Sequence, residues 1–140
     1  MRDKLIEGGY KLPLLFAIIV LLLLGLKVKA QTKEEVYNYV KEIGIKSPNI
    51  VVNQSILETG HYKCKDCSLD HNNIFGFRWK KKYIEFNTWQ ESCDYYLKWQ
   101  NKWYKGQDYY SFLGCLWKHR DGRCVPYATS EEYVNKLKQF

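Results

Sequence analysis

The stretch SPNIVVNQSILETG, Ser47 to Gly60, decides how this chain is read. Ser47 followed by Pro48 is a helix start: serine as the cap, proline at the first helical position, where its missing N–H costs nothing. Ile50, Val51, Ile56 and Leu57 then recur along an apolar helix that stops near Gly60. Its oddity is Glu58 in the last turn. The C-terminal end of a helix carries partial negative charge and disfavours an anion. Ile56, Leu57 and Tyr62 lie close in sequence, so partial burial is expected as well. Both effects raise a carboxyl pKa, and a carboxyl protonated near neutral pH is what general acid catalysis requires. A solvated glutamate in a last turn is the plain alternative.

Upstream, TKEEVYNYVKEIG opens with Thr32 and Glu35 at capping-box spacing. Val36, Tyr39, Val40 and Ile43 follow at helical spacing, and Gly44 closes the helix. Downstream, HYKCKDCSLDHNN is polar and reads as a loop. IFGFRWKKKYIEF predicts a short hairpin, Ile74 to Trp79 and Lys82 to Phe86, turning across the lysines. Thr88 and Glu91 form a second capping box, opening a helix from Trp89 to about Tyr104 with Trp89, Cys93, Tyr96, Leu97 and Trp103 inward. DYYSFLGCLW predicts a further helix from near Asp108, and TSEEYVNKLKQF a last one capped by Thr129 or Ser130. The expected architecture is α+β and mainly α, with one small β excursion.

Residues 1–30 stand apart. Arg2, Lys4 and Lys11 precede the apolar run Leu12 to Leu26, and Ala30 follows before Gln31. This is the layout of a signal peptide, or of an uncleaved signal-anchor given Lys27 and Lys29, and the run is short for a full membrane span. Residues 31–140 form one domain, expected to work as a secreted or periplasmic monomer. The leader holds five of the 22 Lys+Arg and two of the 15 Asp+Glu, which leaves 17 against 13, a net +4. That mildly basic surface suits an anionic polymer such as a cell wall, or simply water. No basic block beyond Lys80 to Lys82 appears, which argues against nucleic acid. Five Trp, twelve Tyr and six Phe fit either a core of large side chains or a groove that stacks sugar rings.

The five cysteines, Cys64, Cys67, Cys93, Cys115 and Cys124, all follow the leader, and an odd count leaves at least one without an intrachain partner. Cys115 and Cys124 flank a turn-like LWKHRDGR and are the favoured pair; Cys93, at an apolar helical position, reads as a buried thiol. His61, Cys64, Cys67 and His71 have spacing that can hold zinc. Export argues against zinc, since thiols there tend to oxidise; the spacing also allows a local Cys64–Cys67 disulfide, and no metal is expected.

Three motifs in order, QSILETGHY from Gln54, NNIFGFR from Asn72 and YATSEEYVNKL from Tyr127, resemble the glucosaminidase family of bacterial cell-wall hydrolases, glycoside hydrolase family 73. The layout is similar to small exported versions from Bacteroidetes. The resemblance spans Thr32 to Phe140 and implies a lysozyme-like α+β fold with a helical lobe and a small β-hairpin lobe. It implies hydrolysis of the β-1,4 bond after N-acetylglucosamine in peptidoglycan, without a cofactor. By motif match Glu58 is the general acid, Tyr127 positions sugar or water, and Asn73, Phe75 and Gly76 shape the cleft floor. Tyr62 and Trp79 join them as candidate substrate-binding residues. Plain turn packing is the alternative for Phe75 and Gly76.

Glycoside hydrolysis by inversion needs a second carboxylate about 6.5–9.5 Å from the first. Glu85, the acid in the expected strand, is the candidate; Glu91 is explained by its capping role, and Asp66 and Asp70 lie in the preceding loop. The short β-lobe also suits a substrate-assisted route through the sugar's N-acetyl group. Other readings are a wall-glycan binding module without activity, a muramidase, or an amidase using Cys64 or Cys67 with His71.

Overall fold

The computed structural model describes residues 31–130 and 132–140; the leader and its export reading lie outside the described residues. Among the described residues no helix is long and apolar enough to cross a membrane. Helix α1, Lys33–Glu42, begins with the expected capping box: the Glu35 N–H donates to Thr32 Oγ1 (3.2 Å) and the Thr32 N–H to Glu35 Oε2 (2.8 Å). It ends in a Schellman turn: Gly44, at φ +84°, donates to the Lys41 carbonyl (3.2 Å) and Ile45 to Val40 (3.0 Å). Val36 and Val40, one turn apart, are buried.

Helix α2, Pro48–Glu58, lies against α1 and carries five buried residues, Val51, Val52, Gln54, Ser55 and Ile56. A helix buried around so much of its circumference is a core element. Ser47 differs from expectation: it adopts φ +55° and its hydroxyl makes no capping bond. The residue before a proline is excluded from the right-handed helical region, and Pro48 itself removes one N–H that a cap would serve.

The hairpin lies where the sequence placed it but is shorter. Strands β1, Arg78–Trp79, and β2, Lys82–Tyr83, pair antiparallel through a turn at Lys80 and Lys81, both at positive φ. Beyond Arg78 the Ile84 N–H still donates to the Phe77 carbonyl (3.0 Å), and a side chain joins the pairing. Buried Asn73 donates its Nδ2 to the carbonyls of Phe77 (2.8 Å) and Ile84 (2.9 Å), and accepts from the Phe77 N–H (3.0 Å). Helix α3, Trp89–Trp103, follows; Thr88 caps it, while the Glu91 carboxylate reaches one residue further back, to the Asn87 N–H (2.9 Å). Its fully buried stripe is Ser92, Cys93, Tyr96 and Gln100. Trp89, Leu97 and Trp103 pack against the core edge, half-buried.

The expected helix from Asp108 is cut short. Helix α4 spans Tyr109–Gly114, and a second hairpin, β3, Trp117–Lys118, with β4, Cys124–Val125, takes the residues beyond it. The Asp121–Gly122 turn and the Cys115–Cys124 disulfide close this hairpin and override helical continuation. Helix α5 is also shorter than expected, Tyr133–Leu137; neither Thr129 nor Ser130 caps it through a side chain, and the Ser130 carbonyl accepts the Tyr133 N–H (3.1 Å) instead. α5 packs on α2 and α4. The result is a mainly α, lysozyme-like α+β fold.

Cys64 and Cys67 form the second disulfide, so their thiolates are not free to ligate zinc or to act as a nucleophile. His61 packs its ring on Phe140, and His71 on Tyr83. Cys93 is the buried free thiol, its pKa pushed up by burial. Replacing Cys115 and Cys124 together by serine is expected to lower stability by about 2–3 kcal/mol through loss of loop constraint. A shift of the urea midpoint, with Cys93 still protected from thiol reagents until unfolding, checks it.

Candidate active site

Glu58 is the last residue of α2, and the chain turns sharply after it. Gly60, His61 and Tyr62 all have positive φ. Thr59 holds this turn: its Oγ1 donates to the Ser55 carbonyl (2.6 Å) and accepts the Tyr62 N–H (3.1 Å), and its carbonyl accepts from Lys63 and Cys64. Such a tight exit leaves the Glu58 side chain half-buried at the end of the helix.

The loop from Asn73 lies directly over that carboxyl. Gly76 has φ +69°, and a Cβ built on it would sit 2.6 Å from Glu58 Oε2. Only glycine satisfies both the backbone angle and the contact. Arg78, two residues on, exerts an attractive field on Glu58 from β1. Its guanidinium lies 4.2 Å over the Tyr83 ring and donates from Nη2 to the Tyr83 hydroxyl (2.6 Å).

The Tyr133 hydroxyl of α5 lies beside Glu58 and acts on its carboxyl, favouring the ionised form. Tyr127 stacks on Tyr133, with ring centroids 5.8 Å apart, and donates its hydroxyl to the Phe75 carbonyl (2.6 Å). That bond ties the Tyr127 segment to the peptide immediately before Gly76. Phe77 meets Tyr95, Tyr96, Trp99 and Tyr127, so the loop is seated on an aromatic bed. The three sequence motifs therefore converge on one carboxyl.

Burial pushes the Glu58 pKa up, and the nearby Tyr133 hydroxyl and the Arg78 charge pull it part of the way back. Tyr127 and Tyr133 are both raised, first by burial and also by the Glu58 charge, so they remain neutral donors. Among the described residues no second carboxylate contributes to the Glu58 shift.

The other expected residues divide. Asn73 and Phe75 point inward: the Asn73 amide is spent on backbone and the Phe75 ring packs 4.4 Å from Tyr96. They build the loop, and their side chains do not reach solvent. Tyr62 is buried too, its hydroxyl 2.6 Å from Ser55 Oγ. Trp79 is 71% exposed and lines a groove with Lys80, Lys82, Tyr83, Ile84 and Tyr95, between the hairpin and α3. Glu85, just past β2, is exposed and carries no hydrogen bond or ion pair among the described residues. Arg78 and Tyr133 escaped the sequence reading as site residues, although both lie inside the motifs that carried it: the last residue of NNIFGFR and the second tyrosine of YATSEEY.

Because its carboxyl favours the protonated form in the folded state, Glu58 contributes stability fully below its unfolded-state pKa, and loses it as pH rises through the higher folded value. Glu58→Gln is therefore expected to raise the melting temperature at neutral pH and to leave it nearly unchanged at low pH. Gly76→Ala is expected to destabilise by about 1–2 kcal/mol and to lower turnover by about 10²-fold through displacement of the carboxyl. Urea melts and turnover measured on the same preparation check it.

Residues 33–140 match the family described as mannosyl-glycoprotein endo-beta-N-acetylglucosaminidase, the glucosaminidase family, and the chain belongs to it. No curated protein and no solved structure matches the chain.

Proposed function

We propose that this member of the glucosaminidase family hydrolyses the β-1,4 bond after N-acetylglucosamine in peptidoglycan, with Glu58 as the general acid. The observation that carries the reading is the Glu58 carboxyl itself: half-buried, pressed under Gly76, with the Tyr133 hydroxyl beside it, and shifted toward its protonated form. Protonation of the leaving oxygen by Glu58 breaks the glycosidic C–O bond and leaves the glutamate ionised. Arg78 and the Tyr133 hydroxyl stabilise that carboxylate as it forms.

A retaining mechanism with a carboxylate nucleophile would need the two groups about 5–5.5 Å apart, close enough to couple. Among the described residues no carboxylate contributes to the Glu58 shift, and this reading takes the inverting route, in which water attacks. Glu85 is the base in this reading: an exposed carboxylate in the hairpin lobe that takes one proton from the attacking water. Tyr127 acts by holding the Phe75–Gly76 peptide in place, and Trp79 offers an exposed ring on which a sugar can stack. Export through residues 1–30 is part of the same proposal; two disulfides suit an oxidising compartment.

Mass spectrometry of purified peptidoglycan after incubation with the protein tests the bond. New reducing ends of N-acetylglucosamine are expected. Ends of N-acetylmuramic acid would make it a muramidase, and no fragments with tight wall binding would make it a binding module. Glu58→Gln is expected to lower kcat by about 10²–10⁴-fold. Glu85→Gln is expected to lose a similar factor and to regain turnover with added azide; unchanged turnover would move the water-activating role to the substrate's N-acetyl group.

A further inference from the structure

Behind Glu58 runs a continuous chain of hydrogen bonds through the core. Gln54, Tyr96, Tyr109 and Gln100 are all at least nine-tenths buried, so no water competes for their polar atoms. The chain starts at a peptide whose chemistry cannot be reversed. The Lys46 N–H donates to Gln100 Oε1 (2.8 Å), and Gln100 Nε2 donates to the Lys46 carbonyl (3.1 Å). These two bonds fix which end of the Gln100 amide faces which way. Its Nε2 also donates to the Tyr109 hydroxyl (2.7 Å).

Every later bond inherits this direction. The Tyr109 and Tyr96 hydroxyls lie 2.8 Å apart, where either could donate; because Tyr96 spends its one proton on Gln54 Oε1, Tyr109 is the donor between them. With Oε1 turned to Tyr96, the other end of the Gln54 amide faces Tyr133, and Nε2 donates to its hydroxyl (3.3 Å). Because Gln54 donates to it, the Tyr133 hydroxyl does not spend its own proton on Gln54, and Glu58 is the carboxyl beside it that can take that proton. Gln54 is the one member whose amide could turn over, and Tyr96 is what prevents it.

We propose that Tyr96 and Gln54 are positioning residues that keep the Tyr133 hydroxyl proton aimed at the Glu58 carboxyl. The inference rests on Glu58 being the working carboxyl. Without the Tyr96 hydroxyl, Gln54 is free to present Oε1 to Tyr133 and take its proton. Glu58 then loses a donor that stabilises its ionised form, and its pKa rises further. The charged and titratable groups that face Glu58 are Arg78 from β1, Tyr127 from the segment before α5 and Tyr133 from α5. Tyr96→Phe changes none of them.

The test is the carboxyl ¹³C titration of Glu58 by NMR in the wild type, Tyr96→Phe, Tyr133→Phe and the double variant. It reads the carboxyl without turnover, so it stands even if the protein cleaves a different bond or none. The expected result is an alkaline shift of the midpoint in both single variants, with the double shifted no further than Tyr133→Phe alone. A shift in Tyr133→Phe with none in Tyr96→Phe overturns the proposal, as does additivity in the double. Should Tyr96→Phe not fold, the wild type decides alone. The Gln54 side-chain amide protons are expected to show contacts to the Tyr133 ring and not to Tyr96; the opposite orientation overturns it.

Discussion

Everything in this protein depends on the contact between one glycine and one carboxyl. Gly76 is pressed onto Glu58 so closely that a methyl group would sit 2.6 Å from its oxygen. For that contact to exist, α2 must stop at Glu58, the following turn must run through three positive φ angles, and the Asn73 loop must fold back over the helix end. Asn73 and Thr59 hold the two sides by spending their side chains on backbone groups. Tyr127 then clamps the loop from the far end of the chain through the Phe75 carbonyl.

A domain of this size has a modest apolar core, and here much of it is aromatic and hydrogen-bonded rather than aliphatic. Buried tyrosines and glutamines are costly unless each polar atom finds a partner. In this core they do: Gln100, Tyr109, Tyr96, Gln54 and Tyr133 in one series from the Lys46 peptide, and Tyr62 separately with Ser55. An all-apolar core would pack the same helices but would leave Tyr133 without the neighbour that orients its proton. The hydrogen bonds and the chemistry are therefore different aspects of one arrangement. The disulfides act elsewhere: one closes the small second hairpin, the other the loop between α2 and the first hairpin.

Much of the fold, and the placement of the candidate carboxyl, was legible in the sequence because the signals are local. The Thr32–Glu35 box, Pro48 at a helix start and Glu58 against Gly60 are short-range patterns with a direct physical reading. The Cys115–Cys124 pair followed from the turn residues it flanks. What was not legible depends on distant partners. The second hairpin displaced a helix because a disulfide and an Asp-Gly turn outweigh the helical spacing of Leu113, Leu116 and Trp117. Asn73, Phe75 and Tyr62 carried motif significance, yet whether they face substrate or core is set by long-range packing. Tyr133 became visible as a site residue only when α5 was seen to pack on α2.

The central claim is that Glu58 works in its protonated form. The most direct measurement is the pH dependence of kcat/KM for cleavage of peptidoglycan glycan strands. Since the folded Glu58 pKa is raised, activity is predicted to persist above the ordinary glutamate range and then fall as pH rises through the shifted value. A rate that instead climbs through that region would mean that ionised Glu58 is the working form, and would contradict the account.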